Sequence, residues 1–239
     1  LDNRGMNFPT QPSETKENGI VYGNDVTSDI AIRRAINIGI DRAAIIENVL
    51  NGYGSPAYSI CDNMPWYQSA SQVEYDLEQA KTILQKAGWI EAEDGIRSKN
   101  GIRASFSILY PPSDTIRQTI AEAFSNEMKN LGIEAIPECV SWDIAYDLAQ
   151  SQPMIGGWGA HTPMELYNIY HSQNSTENAR YSPYYNKTVD TYMDEALKST
   201  DIEKSYELWQ KVQWDGTTGI TQQGDIPWIW ICNIDHLYF

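Results

Sequence analysis

Long apolar runs are missing from this sequence: nowhere does it approach the roughly 20 consecutive apolar residues of a membrane-spanning helix. Basic residues are scarce as well. Seventeen Lys and Arg stand against 32 Asp and Glu, for a net charge of −15, and no Lys/Arg run interrupts the acidic balance. Such a field repels phosphate backbones and anionic membrane surfaces, so no nucleic-acid partner is expected. Cysteine occurs only at Cys61, Cys139 and Cys232, with no Cys-x-x-Cys and no His at ligand spacing, so no zinc site is expected. An odd count leaves at least one free thiol, and the apolar stretches around Cys139 and Cys232 predict small buried hydrophobes there. Gly-x-Ser-x-Gly, His-Glu-x-x-His and a phosphate loop are all absent. The opening Leu1-Asp2-Asn3-Arg4 is neither an initiator Met nor a signal peptide, and reads as the start of a piece cut from a longer precursor.

What is present, over 239 residues, is enough chain for one large domain or two small ones; one domain over 1–239 is the expectation. Ser28 or Asp29 can cap a helix with Ile32, Ala35, Ile36 and Ile40 on one face, and Asp41 a second with Ile45, Ile46, Val49 and Leu50, closed by Asn51-Gly52. The arginines of this stretch read as a solvated face. Asp76 and Gln79 form a capping box before Leu77, Ala80, Ile83, Leu84 and Ala87, and Gly88 terminates that helix. Asp94-Gly95 and Asn100-Gly101 are turn signals, the second leading into a strand through Ile102, Ala104, Phe106 and Ile108.

From there the pattern reads strand, helix, strand, helix, strand. A helix after Asp114 stops at Gly132, a strand covers 133–140, a short helix 141–150, and a glycine-rich strand 154–158. This βαβαβ unit predicts an α/β fold whose strand ends, at Tyr110, Val140 to Trp142, and Trp158 to His161, lie along one edge of a parallel sheet, where such sheets bind ligands. Helices follow from Asn186 or Thr188 and from Asp201. A terminal strand over 226–239 carries Pro227 near its start, which suits an edge. The segment 9–24, rich in Pro, Gly and polar residues, reads as loop.

The run 32–57, Ile-Arg-Arg-Ala-Ile-Asn-Ile-Gly-Ile-Asp-Arg-Ala-Ala-Ile-Ile-Glu-Asn-Val-Leu-Asn-Gly-Tyr-Gly-Ser-Pro-Ala, closely resembles a segment of the extracellular solute-binding proteins that deliver peptides, nickel and related ligands to ABC importers. The resemblance extends almost end to end over the part of that family between its two interlobe crossings. It implies a periplasmic-binding-protein-like lobe, the second of two, with a βαβαβ core and a mixed sheet flanked by helices, and both termini near the hinge. It further implies a small-molecule or peptide ligand, the first lobe of the same protein and an ABC permease as partners, and an extracytoplasmic location, periplasmic or lipid-anchored. No cofactor and no catalysis are implied.

A second resemblance lies in Gly157-Trp158-Gly159-Ala160-His161, similar to the family's strand end where a Trp lines the pocket. Peptide-binding members carry an aspartate three residues after that Trp, pairing with the ligand's amino group. Here His161 stands in that place, and a neutral imidazole supplies no fixed negative charge.

Trp158 and His161 are therefore the leading ligand-binding candidates, with Tyr110, Trp142 and Glu165 beside them. Trp66 and Tyr67 could add to an aromatic wall, and Tyr167 and Asn168 could support it. His161 and Glu165 are four apart and could offer a nitrogen and an oxygen to a cation, with His171 as a third donor; the simpler reading is a hydrogen-bonding loop histidine and a Glu in the first turn of a helix. Two other classes stay open. The acid-rich, aromatic composition resembles secreted glycoside hydrolases, though no carboxylate pair stands out, Glu138 and Asp143 included; a ligand-sensing receptor ectodomain would use the same closure of a cleft.

Overall fold

The computed structural model describes residues 2–159, 162–173, 181 and 184–235. β1 (Asn3–Asn7) leads to a two-residue hairpin, β2 (Glu14–Thr15) and β3 (Val21–Tyr22), inside the stretch expected to be loop. Helices α1 (Ile30–Gly39) and α2 (Arg42–Leu50) follow. Asp29 is the cap in use, accepting from Ala31 N at 2.9 Å, and Asp41 accepts from Ala44 N at 2.9 Å. At the end of α2, Asn51 (φ 49°) and Gly52 (φ 79°) occupy the left-handed region that these residue types tolerate.

Arg33 and Arg42 overturn the solvated-face reading: both are buried. Arg33 donates to the carbonyls of Thr27 and Asp225. Arg42 donates to the carbonyls of Asn37, Ala57 and Trp230 and to Asn37 Oδ1. The end of a short helix leaves main-chain carbonyls without partners, and a guanidinium offers five donors to take them up.

Next come β4 (Gly54–Pro56), α3 (Leu77–Lys86), β5 (Ile90–Glu91), β6 (Arg97–Lys99), β7 (Ile102–Arg103), β8 (Ser105–Tyr110), α4 (Thr115–Lys129) and β9 (Glu134–Cys139). They are followed by α5 (Trp142–Leu148), β10 (Ile155–Trp158), α6 (Met164–Tyr170), α7 (Lys187–Lys198), α8 (Ile202–Gln213) and β11 (Trp228–Ile234). Asp76, Asp114, Asn186 and Asp201 cap α3, α4, α7 and α8 through their side chains. Asn100 and Gly101, at φ 53° and 81°, close the β6–β7 hairpin. The single strand expected from Ile102 onward is split, because Ala104 N turns away to Arg97 O at 2.8 Å.

β8 and β9 run parallel, from Ser105 opposite Glu134 to Tyr110 opposite Cys139, with α4 as their crossover. The third strand departs from the all-parallel expectation. Met154, just before β10, makes one parallel bridge to Leu109 of β8, and β10 itself pairs antiparallel with β1, Asn3 opposite Trp158 and Met6 opposite Ile155. β1 lies beside β11, and β11 beside β4, giving the order β10-β1-β11-β4 in a mixed sheet. β11 is thus interior rather than at an edge. Pro227 is compatible because it precedes the ladder, its carbonyl accepting from Phe8 N at 2.8 Å.

Alternation along β11 separates two cores. Ile229 and Ile231 join the apolar stripes of α1 to α4, and Trp228 and Trp230 join those of α5 to α8. No described helix is long and apolar enough to cross a membrane.

Candidate ligand-binding site

The C-terminal ends of β8, β9 and β10 carry Tyr110, Cys139 and Trp158, and α5 opens with Trp142 directly after β9. The N-terminal end of β1 and the C-terminal end of β11 reach the same edge, since Asn3 stands opposite both Trp158 and Asn233.

Trp158 is half-buried, set edge-to-face against Trp228 at 5.1 Å, Tyr181 at 5.5 Å and Trp230 at 6.0 Å. Trp228 and Trp230, two apart on one strand, stack at 5.5 Å and 15°. Tyr181 continues through Tyr146 at 5.9 Å to Trp142 at a further 5.7 Å. Six aromatic rings therefore form one connected wall, in geometries that suit the ring quadrupole. The glycines of β10 make room for it. A Cβ on Gly156 would lie 2.7 Å from the Trp158 ring, which folds back over its own strand, and one on Gly157 would lie 2.6 Å from Arg4 Nη1.

The wall presents Trp142 to solvent, 40% exposed, with the Arg117 guanidinium 5.8 Å from its ring. Arg117 is held by Asp114 at 2.6 Å, so its charge is partly neutralised. Tyr110 is half-buried at the end of β8, its carbonyl accepting from Val140 N at 3.0 Å, and desolvation raises its phenol above the ordinary range.

Of the residues singled out from sequence, Trp142 and Trp158 belong to one wall and Tyr110 ends the strand paired with Cys139. Glu165 lies in the first turn of α6, and His161 lies outside the described residues. Trp66 is buried against Tyr206 of α8 at 5.7 Å, so it packs the second core rather than the wall. His171 is buried at the end of α6, stacked on Tyr167 at 4.4 Å and facing Asp194 at 3.4 Å. Among the described residues no group of three or more His, Cys, Asp or Glu could hold a metal ion. Cys139 corrects a further expectation: it is exposed at the strand end, while Cys61 and Cys232 are buried.

Sequence reasoning missed Tyr146, Tyr181, Trp228 and Trp230. The alternating Trp-x-Trp of β11 and the four-residue spacing of Trp142 and Tyr146 on a helix were the available signals for three of them. Tyr181 carried none.

The sequence matches the bacterial extracellular solute-binding proteins, family 5 Middle, over residues 3–180. Protein XP55 of Streptomyces lividans is 31% identical over 217 residues, covering 89% of this chain and 39% of that protein. The oligopeptide-binding protein AppA of Bacillus subtilis is 30% identical over 208 residues, covering 80% of this chain and 38% of that one. The chain spans about two fifths of the length of these curated relatives. Among solved structures, NikZ from Campylobacter jejuni in complex with Ni(L-His) superimposes with a TM-score of 0.81 at 18% identity, over 98% of this chain and 45% of that one. The fold is that of a periplasmic-binding-protein-like lobe, and by a match over most of its length the chain belongs to the bacterial extracellular solute-binding proteins of family 5.

Proposed function

We propose that this chain is the second lobe of the binding component of an ABC importer. The whole protein captures a small solute outside the cytoplasm, in the periplasm or anchored by lipid at the cell surface. The first lobe of the same protein closes over the ligand, and the membrane permease receives it. The observation that carries this reading is the meeting, on one sheet edge, of the aromatic wall around Trp158 with the ends of β1 and β11. In this reading β1 enters from the first lobe and β11 returns to it, so closure brings the opposite lobe onto the wall.

Trp142, Trp158 and Tyr110 bury the apolar part of the ligand, and His161 and Glu165, which follow β10 in the sequence, supply polar contacts. The ligand is a short peptide or a metal chelate such as a nickel complex; the names of AppA and of the NikZ complex support these two classes. No residue is assigned a catalytic role and no cofactor is required.

The test is native mass spectrometry with elemental analysis of the intact protein from its host, followed by calorimetric titration of the co-purified solute. A peptide or metal chelate whose affinity falls at least about tenfold in Trp158→Ala is the expected result, since losing a central aromatic contact costs about 1.4 kcal/mol or more. Unchanged affinity in both Trp158→Ala and Trp142→Ala would refute the wall as the binding surface.

A further inference from the structure

The aromatic wall lies against one face of β1, and that face carries no apolar side chain. Side chains alternate along a strand, so Asn3, Gly5 and Asn7 turn to the core of α5 to α8, while Met6 joins the core of α1 to α4. A Cβ on Gly5 would lie 2.6 Å from the Trp230 ring, so glycine there seats that ring against the strand. Two buried asparagines flank the seat, Asn3 at 0% and Asn7 at 1% exposure.

Asn3 Oδ1 accepts from Trp158 N at 3.2 Å, and its Nδ2 donates to Ile60 O at 3.2 Å. Asn7 makes three bonds. Its Nδ2 donates to Tyr181 O at 2.7 Å and to Ala149 O at 3.1 Å, and its Oδ1 accepts from Met154 N at 2.8 Å. Both donors of the Asn7 amide are thereby used, and turning the amide over would set its oxygen against two carbonyls, so the orientation is determined. Asn7 thus joins three segments: the C-terminal end of α5 at Ala149, the residue before β10, and Tyr181, which lies outside the helices and strands.

Tyr181 is the ring that makes the wall continuous. It lies 5.5 Å from Trp158 and 5.2 Å from Trp228, and 5.9 Å from Tyr146, which carries the wall on to Trp142. At 6% exposure it supports the rings on either side rather than presenting a surface of its own. A buried main-chain carbonyl outside helix and sheet takes its partner from elsewhere in the fold, and here the partner is the Asn7 amide. We propose that Asn7 is the positioning residue of the wall: by fixing the main chain at Tyr181 it sets that ring between Trp158 and Tyr146, and the placement of Trp158 depends on it.

A residue that only stabilises the fold would act differently. Its loss lowers the folded population and leaves the surroundings of Trp158 unchanged in the molecules that remain folded, whereas loss of a positioning residue alters those surroundings in folded protein. Direct contact across the sheet does not confuse the two, since Asn7 stands opposite Trp228 and Trp158 stands opposite Asn3. The consequence for binding rests on the wall being the ligand surface, but the positioning is read with no ligand present, so the two can fail separately.

The experiment is fluorine NMR of the intact protein labelled with 5-fluorotryptophan, the Trp158 resonance being assigned by its loss in Trp158→Phe. In Asn7→Leu, close in shape but without polar atoms, that resonance should move, as it should in Tyr181→Ala, while those of Trp66 and Trp89, away from the wall, stay in place. In the double variant the Trp158 resonance should fall where Tyr181→Ala alone puts it, because Asn7 acts through Tyr181. Asn7→Asp keeps the acceptor that Met154 uses but lacks both donors, and it should move the resonance as well. An unmoved Trp158 resonance in folded Asn7→Leu, or shifts that add in the double variant, overturns the proposal. Should Asn7→Leu not fold, Asn7→Ser serves in the same comparison, since a hydroxyl offers one donor in place of two. Calorimetry with the co-purified solute then separates the readings. Affinity should fall roughly two- to tenfold in Asn7→Leu, the range for residues coupled through a shared partner. No fall in a protein that Trp158→Ala does weaken overturns the positioning role, and no fall in either variant overturns the wall as the ligand surface.

Discussion

Replacing Arg42 by methionine tests how α1, α2 and β11 are joined. The side chain is 4% exposed and its guanidinium makes hydrogen bonds of 2.6–3.0 Å to the carbonyls of Asn37, Ala57 and Trp230 and to Asn37 Oδ1. A hydrogen bond from a charged donor contributes about 1.5 kcal/mol net, so losing this set costs about 6 kcal/mol before compensation. Relief from burying a cation offsets part of that. Burial lowers the Arg42 pKa from 12.5 to about 10, which corresponds to about 3 kcal/mol of disfavoured charge. Methionine retains much of the stem's volume, so cavity terms stay small. The expected net loss is about 3 kcal/mol, a fall in Tm of roughly 6–12 °C for a chain of this size. Far-UV circular dichroism on heating and in urea measures it, with the urea midpoint shifting at constant slope. Arg42→Lys, which keeps the buried charge but offers three donors in place of five, should be no more stable than Arg42→Met. A methionine variant within about 1 kcal/mol of wild type would refute the assignment of Arg42 as the joint between these elements.

The thiols should separate by reactivity. Cys139, exposed at the strand end, should react with a disulfide reagent at neutral pH in the folded protein, whereas Cys61 and Cys232, buried and pushed up to about 12, should react only on unfolding. Three equally fast thiols would contradict the buried placement. Gly156→Ala brings a Cβ within 2.7 Å of the Trp158 ring and should cost about 1–3 kcal/mol with a changed near-UV tryptophan spectrum. An unchanged spectrum would mean that the ring does not lie over Gly156.

Legibility varied by the range of the interaction that decided each element. Helix starts at Asp41, Asp76, Asp114 and Asp201 could be read, and those at Asp29 and Asn186 narrowed to two candidates each, because a cap acts within two or three residues of itself. The Asn100-Gly101 turn was legible for the same reason, its left-handed backbone suiting those two residue types. The partner of β10 was not legible. Parallel pairing with β8 and antiparallel pairing with β1 make the same demand on a short glycine-rich strand, and the choice was made by residues some 150 positions away. The burial of Arg33 and Arg42 was hidden likewise, because their acceptors lie on other elements. In the site, Trp142 was found from a strand end alone and Trp158 from a strand end together with the family resemblance of 157–161, whereas Tyr181, which links Trp158 to Tyr146, comes from a segment with no periodic pattern.

The α/β class, most helix starts, the acidic character and the family are written in local stretches of sequence, because propensity, capping, charge and a short run of residues are properties of neighbouring positions. Long-range packing, by contrast, sets β1 and β11 together inside a mixed sheet, joins six rings from four separate segments into one wall, and turns Asn233 toward Asp62 through a bulge at Ile231. Those outcomes depend on which distant surfaces bury one another, and pairing across a fold depends on the whole set of competing partners rather than on any local pattern.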